Sequence, residues 1–249
     1  MARRVWHSAK TPDRFLAMSM DGTKEARRRY DRIAEKLRGG QRHPTLGFHP
    51  DRGDEDWWQA GRDRFQKMIK TFAIAPSDRV IDYGCGSLRL GGHFMRHLEP
   101  GHYFGLDVTA DLIAMGCELI GAETVAERAP HLAVIDESAL AEAETFGASF
   151  LFSEAVDYHV VPDELDFYYA TLLRLTRAPG STLLLSVRMA DTDHEYIQGC
   201  WARPLEHFIR VLAPLVYVKS HFVQVGAHGG KHAGIASATL QFRRTAPTR

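Results

Sequence analysis

The run VIDYGCGSLRLGG, from Val80 to Gly92, sets Gly84 and Gly86 around Cys85, directly behind an apolar segment that carries Asp82. Glycines at such a turn admit a ligand to the backbone amides and to the start of the following helix, because no Cβ stands in the way. A second acid, Asp107, ends the next apolar segment, YFGLD, 25 residues beyond Asp82. A carboxylate at about that distance suits the hydroxyls of a ribose. A dinucleotide fingerprint would place a third glycine at position 89, where this chain has Arg89, so pyrophosphate is disfavoured. Farther along, AVDYHVV presents His159 as the candidate general base, with Asp157 to orient it and Glu154 as second choice. SVRMADTDHEY adds Arg188, His194, Glu195 and Tyr196 as candidates to line a substrate pocket.

These groups need a scaffold, and the spacing of apolar segments predicts one. From Arg79 onward strands alternate with helical segments, the pattern of a parallel sheet covered on both faces. The expected strands are 79–83, 102–106, 131–135, 149–153, 182–187, 216–225 and 236–243. The last two leave no room for a helix between them, so the seventh is expected as a hairpin partner of the sixth, behind a turn at Ala213 and Pro214, making one antiparallel strand at the end of the sheet. Side chains beyond the fourth strand, His159 among them, then face the substrate edge. Ahead of this domain, placed at residues 73–249, residues 1–72 read as a helical cap. Its first helix, Lys24 to Arg42, is basic with Tyr30, Ile33, Ala34 and Leu37 at helical spacing, and Gly39 and Gly40 end it. A second helix is expected from about Asp54 to Phe72.

Lys plus Arg equal Asp plus Glu at 31 each, which gives no net field to draw nucleic acid or anionic lipid. Nucleic acid is therefore disfavoured as a partner, no membrane is expected, and a homodimer is compatible with the sequence. The N-terminus has basic residues without an apolar stretch behind them, and a soluble, cytoplasmic protein is the expectation. Three widely spaced cysteines, Cys85, Cys117 and Cys200, suit neither a disulfide framework nor a metal knuckle. His228 and His232 are four apart, but the glycines around them argue against a shared helix face, and no metal is expected.

The run VIDYGCGSLRLGGHFMRHLEPGHYFGLDVTADLI resembles the nucleoside-binding half of the S-adenosylmethionine-dependent methyltransferases of the Rossmann-like, seven-strand (class I) type, above all a branch with a GCGSLR loop. ASFLFSEAVDYHVVPDELDFYYATLLRLTRAPGSTLLLSV is similar to the family's fourth strand, the following helix and the turn into the fifth strand, and the resemblance covers roughly residues 60–190. Leu88 stands where the broad family motif has a third glycine. The resemblance implies an α/β Rossmann-like three-layer sandwich, a mostly parallel seven-strand sheet and S-adenosyl-L-methionine as cofactor. It also implies that Gly84, Cys85 and Gly86 line the methionine and ribose, that Asp82 faces the loop and that Asp107 chelates the ribose. Asp136 is placed at the adenine amino group, with Glu137 or Ser138 as substitutes, and Arg62, beside Gly61, near the cofactor carboxylate as part of a lid. The leading function is methyl transfer to a small-molecule acceptor, a hydroxyl before a nitrogen. The alternatives are an RNA or protein methyltransferase using the basic helix, and a non-enzymatic nucleotide-binding module or nicotinamide-dependent oxidoreductase.

Overall fold

The computed structural model describes residues 20–41, 54–226 and 234–246. The paired histidines His228 and His232 lie outside the described residues. A sheet of seven strands runs in the order β3-β2-β1-β4-β5-β9-β8, where β1 is Val80–Tyr83, β2 Tyr103–Asp107, β3 His131–Val134, β4 Phe150–Ser153, β5 Thr182–Met189, β8 Val216–Val225 and β9 Ala236–Arg243. The first five are parallel to one another, as the alternation of apolar and helical segments predicts. Every residue of β1 and β2 is buried, because helices cover both faces and successive side chains point to opposite sides. Ile81, Phe104, Leu183 and Leu185 pack beneath α6 (Glu137–Thr145), α7 (Leu165–Leu175) and α8 (Leu205–Val211). Their neighbours Val80, Tyr103 and Leu184 face α2 (Asp54–Phe72), α3 (Gly91–His97) and α4 (Ala110–Ile120), which is followed by the short α5 (Ala122–Arg128).

The one antiparallel strand is the seventh, β9, but it is not at the sheet's end. It sits between β5 and β8 and pairs with β5 from Thr182↔Arg243 to Met189↔Ala236. Burial explains the order. Ala238, Leu240 and Phe242 of β9 are buried and suit an interior position, whereas β8 exposes Val216, Val218, Val223 and Val225. Two register shifts interrupt the pairing of β8 with β9, the kind of irregularity with which edge strands resist further pairing. The turn ahead of β8 falls at Ala213–Pro214, whose peptide is cis.

Helix α1 is Lys24–Arg38, with Gly39 as its C-cap, four residues short of the expected end at Arg42. Ala34 and Leu37 pack on Leu112 and Met115 of α4, which lays α1 across the C-terminal end of the sheet. The carboxylate of Glu164 accepts hydrogen bonds from the first amides of this helix, Glu25 N at 2.7 Å and Ala26 N at 3.2 Å, where the helix dipole also favours a negative charge. Between β5 and α8 lies a small hairpin that the periodicity does not announce, β6 (His194–Ile197) and β7 (Cys200–Ala202). No helix among the described residues is long and apolar enough to cross a membrane.

Candidate functional site

Strand β1 lies between β2 and β4, so the chain leaves it in opposite directions and a crevice opens beyond the carboxyl ends of the strands. A cavity of about 170 Å³ occupies that place. Its floor is the loop from Gly84 to Leu90, its walls are the residues that follow β2, β3 and β4, and α1 closes it with Ala26, Arg29, Tyr30 and Ile33.

The loop is built for close approach. Gly84 has φ +84 and a Cβ there would collide with Val156, so the two segments that flank the crevice touch only because this residue has no side chain. Gly84 N and Cys85 N both donate to the Leu106 carbonyl, at 2.7 and 3.0 Å, which anchors the loop to the end of β2. Two residues beyond Gly86, Leu88 keeps a left-handed backbone with φ +59. The strain this costs a residue with a Cβ, roughly 1–2 kcal/mol, is offset by complete burial of its side chain, packed against Gly116 of α4, where a Cβ would come within 2.7 Å of Leu88 Cγ. The turn accommodates the leucine, which pins α3 and α4 to the loop.

Two buried acids lie beneath this turn. Asp107 accepts from Gly86 N at 2.7 Å and Thr109 N at 3.2 Å, and burial pushes its carboxyl up to about 6 against the pull of those amides. It stays largely ionised at neutral pH and borders the cavity. Asp82 accepts from the Tyr103 hydroxyl at 2.7 Å, and burial pushes it up to about 8, so it is mainly a neutral acid at pH 7. Apolar side chains, Val108, Leu112 and Ile135, line the same cavity.

Beyond β4, Glu154 and His159 also line the cavity. Glu154 is ion-paired with Arg64 of α2 at 2.7 Å, and Arg64 also donates to Thr239 Oγ at 2.6 Å. His159 closes a single 3-10 turn, Asp157–His159, and its Nδ1 lies 3.4 Å from the Gly199 carbonyl and 3.3 Å from Cys200 Sγ. The β6–β7 turn therefore sets the plane of the imidazole. With the proton on Nδ1, donated to Gly199, the lone pair resides on Nε2.

Three expected positions fall elsewhere. Asp157 does not reach His159: fully buried, it accepts from the Tyr169 hydroxyl at 2.7 Å and from Arg203 at 3.2 Å, and Arg203 is itself 1% exposed. It braces the core beneath the site instead. Asp136 is exposed and caps α6 by accepting from Ala139 N at 2.8 Å, which leaves its neighbour Ile135 to face the cavity. Glu137 and Ser138 are exposed as well. Arg62 is exposed on the outer side of α2, because the inward stripe of that helix runs through Gly61, Phe65 and Met68. Arg188 is half-buried with its guanidinium 4.2 Å above the Tyr158 ring, while His194 and Glu195 are exposed on the hairpin.

The residues that sequence reasoning missed are on α1 and in the loop itself. Tyr30 and Ile33 were visible as an apolar stripe, yet that stripe reads equally well as docking onto the core. Arg29 and Arg89 read as a solvated charge and as a broken fingerprint, but both border the cavity. Gly61 makes room for Arg89, since a Cβ there would come within 2.5 Å of its carbonyl oxygen. Among the described residues no group of three or more His, Cys, Asp or Glu could hold a metal.

No family model matches the chain, and no curated protein matches it. Solved structures do resemble it. The [4+2]-cyclase SpnF superposes with a TM-score of 0.59 at 14% identity, covering 85% of this chain and 91% of that one. Magnesium protoporphyrin IX methyltransferase from Synechocystis PCC 6803, with bound S-adenosylmethionine, gives 0.59 at 13% identity over 91% and 99%. Coclaurine N-methyltransferase gives 0.57 at 8% identity over 80% and 74%. At these identities the likeness is one of architecture, and by that measure the chain has the Rossmann-like, seven-strand fold of the class I S-adenosylmethionine-dependent methyltransferases.

Proposed function

We propose that this chain is an S-adenosylmethionine-dependent methyltransferase that acts on a small-molecule acceptor. Since one similar structure is a cyclase, fold alone is not the argument. The reading rests on one observation: the Gly84–Gly86 turn and the Asp107 carboxylate border the same cavity at the sheet's switch point, together with apolar side chains. That donor set fits a nucleoside. Asp107 is an ionised acceptor for ribose hydroxyls, Val108, Leu112 and Ile135 offer an apolar bed for a base, and Arg89 on the loop is a partner for a methionyl carboxylate.

When bound, the cofactor supplies a sulfonium methyl as electrophile. The protein's part is alignment and exclusion of water: α1 covers the cavity, clasped at its first turn by Glu164 and by a hydrogen bond from Arg27 to the Ile135 carbonyl at 3.0 Å. His159, with its ring set by Gly199 and Cys200, is the group proposed to take the proton of an acceptor hydroxyl on Nε2. Glu154 is the weaker candidate, because Arg64 already neutralises it.

The basic helix supports this reading over RNA. Arg27 is bound to the Ile135 carbonyl and Arg38 is paired with Asp111 at 3.2 Å, so both are engaged within the protein, and Arg29 is turned to the cavity. The test is a thermal-shift comparison of S-adenosylmethionine, S-adenosylhomocysteine and NAD. It is followed by detection of S-adenosylhomocysteine release across a panel of hydroxylated metabolites. Stabilisation by the two adenosyl compounds and not by NAD is expected; stabilisation by NAD alone would sink the proposal.

A further inference from the structure

The cavity lining carries charged groups of both signs, and they differ in how they are partnered. Four acids line it, and each has a donor. Asp82 holds the Tyr103 hydroxyl, Asp107 holds two loop amides, Glu154 is paired with Arg64, and Glu164 caps α1. Two arginines line it, Arg29 and Arg89, and neither makes an ion pair with an acid among the described residues. Both are half-buried. Arg29 lies 5.8 Å from the Tyr30 ring centroid, Glu195 holds the Gly199 amide on the turn it packs against, and Glu154 favours the charged form of Arg89, but among the described residues neither guanidinium has a carboxylate within ion-pair distance to take up its paired N–H donors, which an anionic ligand would do.

The two arginines stand at different places. Arg89 belongs to the glycine loop. Arg29 reaches across from α1 to the β6–β7 turn, where a Cβ on Gly199 would come within 3.0 Å of its Nη1; Gly199, with φ +73, is the residue that lets the guanidinium lie there. The same turn supplies the carbonyl and the sulfur against His159 Nδ1. Arg29 and His159 therefore flank one turn and border one cavity.

A methionyl cofactor brings a single carboxylate, which satisfies one guanidinium. We propose that the acceptor is itself an oxyanion, a carboxylate or phosphate compound, whose anionic group is held by Arg29 beside His159. This rests on the methyltransferase reading and adds the acceptor's chemical class to it. An arginine fork offers two parallel N–H donors and suits either anion.

The probes are benzoate, phenyl phosphate and benzamide, matched in their ring and different in charge. Each is titrated by calorimetry at fixed ionic strength into protein saturated with S-adenosylhomocysteine, so that the cofactor's own carboxylate already occupies its partner. At least tenfold tighter binding of benzoate or phenyl phosphate than of benzamide is expected, and the better of the two identifies the anion. Arg29→Gln should abolish that preference while S-adenosylhomocysteine affinity stays within twofold, and Arg29→Lys should restore part of it. Equal binding of benzamide, or an anion preference that survives in Arg29→Gln, overturns the proposal. So does a tenfold loss of S-adenosylhomocysteine affinity in Arg29→Gln, which would assign Arg29 to the cofactor. Wild-type protein that fails to bind S-adenosylhomocysteine removes the methyltransferase reading and this inference with it, whereas binding of S-adenosylhomocysteine without anion preference removes only the inference.

Discussion

Asp82→Asn should make the protein more stable, and increasingly so as pH rises. Asp82 lies fully buried under the glycine loop, and burial pushes its carboxyl from the ordinary 3.8 up to about 8. An acid whose folded value is raised contributes stability that is complete below the unfolded value and is lost as pH climbs through the folded one. At about 1.4 kcal/mol per pH unit, the loss between 3.8 and about 8 amounts to roughly 6 kcal/mol, of which about 2 kcal/mol falls between pH 6 and 8. Asparagine carries no such titration and keeps an oxygen for the Tyr103 hydroxyl. Its amide must find a partner, at a cost of about 1–3 kcal/mol if it does not, but that cost is independent of pH. Urea denaturation followed by tryptophan fluorescence, at constant ionic strength from pH 6 to 8, gives both stabilities. Taking the difference between wild type and variant cancels titrating groups that do not interact with Asp82, His207 among them, and leaves the coupled pair Asp82 and Asp107 as its source. The difference should move in the variant's favour by about 2 kcal/mol across that window. A difference that stays flat means that Asp82 is ionised throughout, and the neutral acid beneath the loop is wrong.

Leu88→Ala should lose about 2–5 kcal/mol in the same assay, since it empties the seat against Gly116 while keeping the left-handed backbone; a loss below 1 kcal/mol would show that the side chain does not pin the loop. His159→Ala should slow a single turnover with a hydroxyl acceptor by about 10²–10⁴ and leave S-adenosylhomocysteine affinity unchanged. A near-normal rate in this variant would make the histidine structural.

The sheet was legible because burial on both faces leaves an unmistakable mark: VIDY and YFGLD are runs with no solvent face. The order of the last two strands was not, since a hairpin read from sequence does not say which of its strands turns inward; that depends on Leu240 and Phe242 being buried against β5 while the β8 valines are left outside. In the site, Asp107 and the glycine turn were readable from spacing because backbone geometry alone brings them together. Asp157, Asp136 and Arg62 were not, because one residue of helical or turn rotation decides whether a side chain meets the cavity or the core. Arg64, two residues past Arg62, is the one that faces Glu154. The role of α1 was hidden for a different reason: a stripe of apolar residues says that a helix docks, not that it docks over a cavity.

The central claim is that the Gly84–Gly86 turn and Asp107 form one nucleoside site, and calorimetry of S-adenosylhomocysteine with wild type and Asp107→Ala tests it most directly. Wild type should bind, and the folded variant should bind more weakly by about 1–3 kcal/mol, the worth of a charge-assisted contact to ribose. Wild-type affinity should also decline as pH falls through about 6, where the carboxylate takes up its proton. An unchanged affinity in a folded Asp107→Ala protein, or no binding by the wild type, would contradict the account.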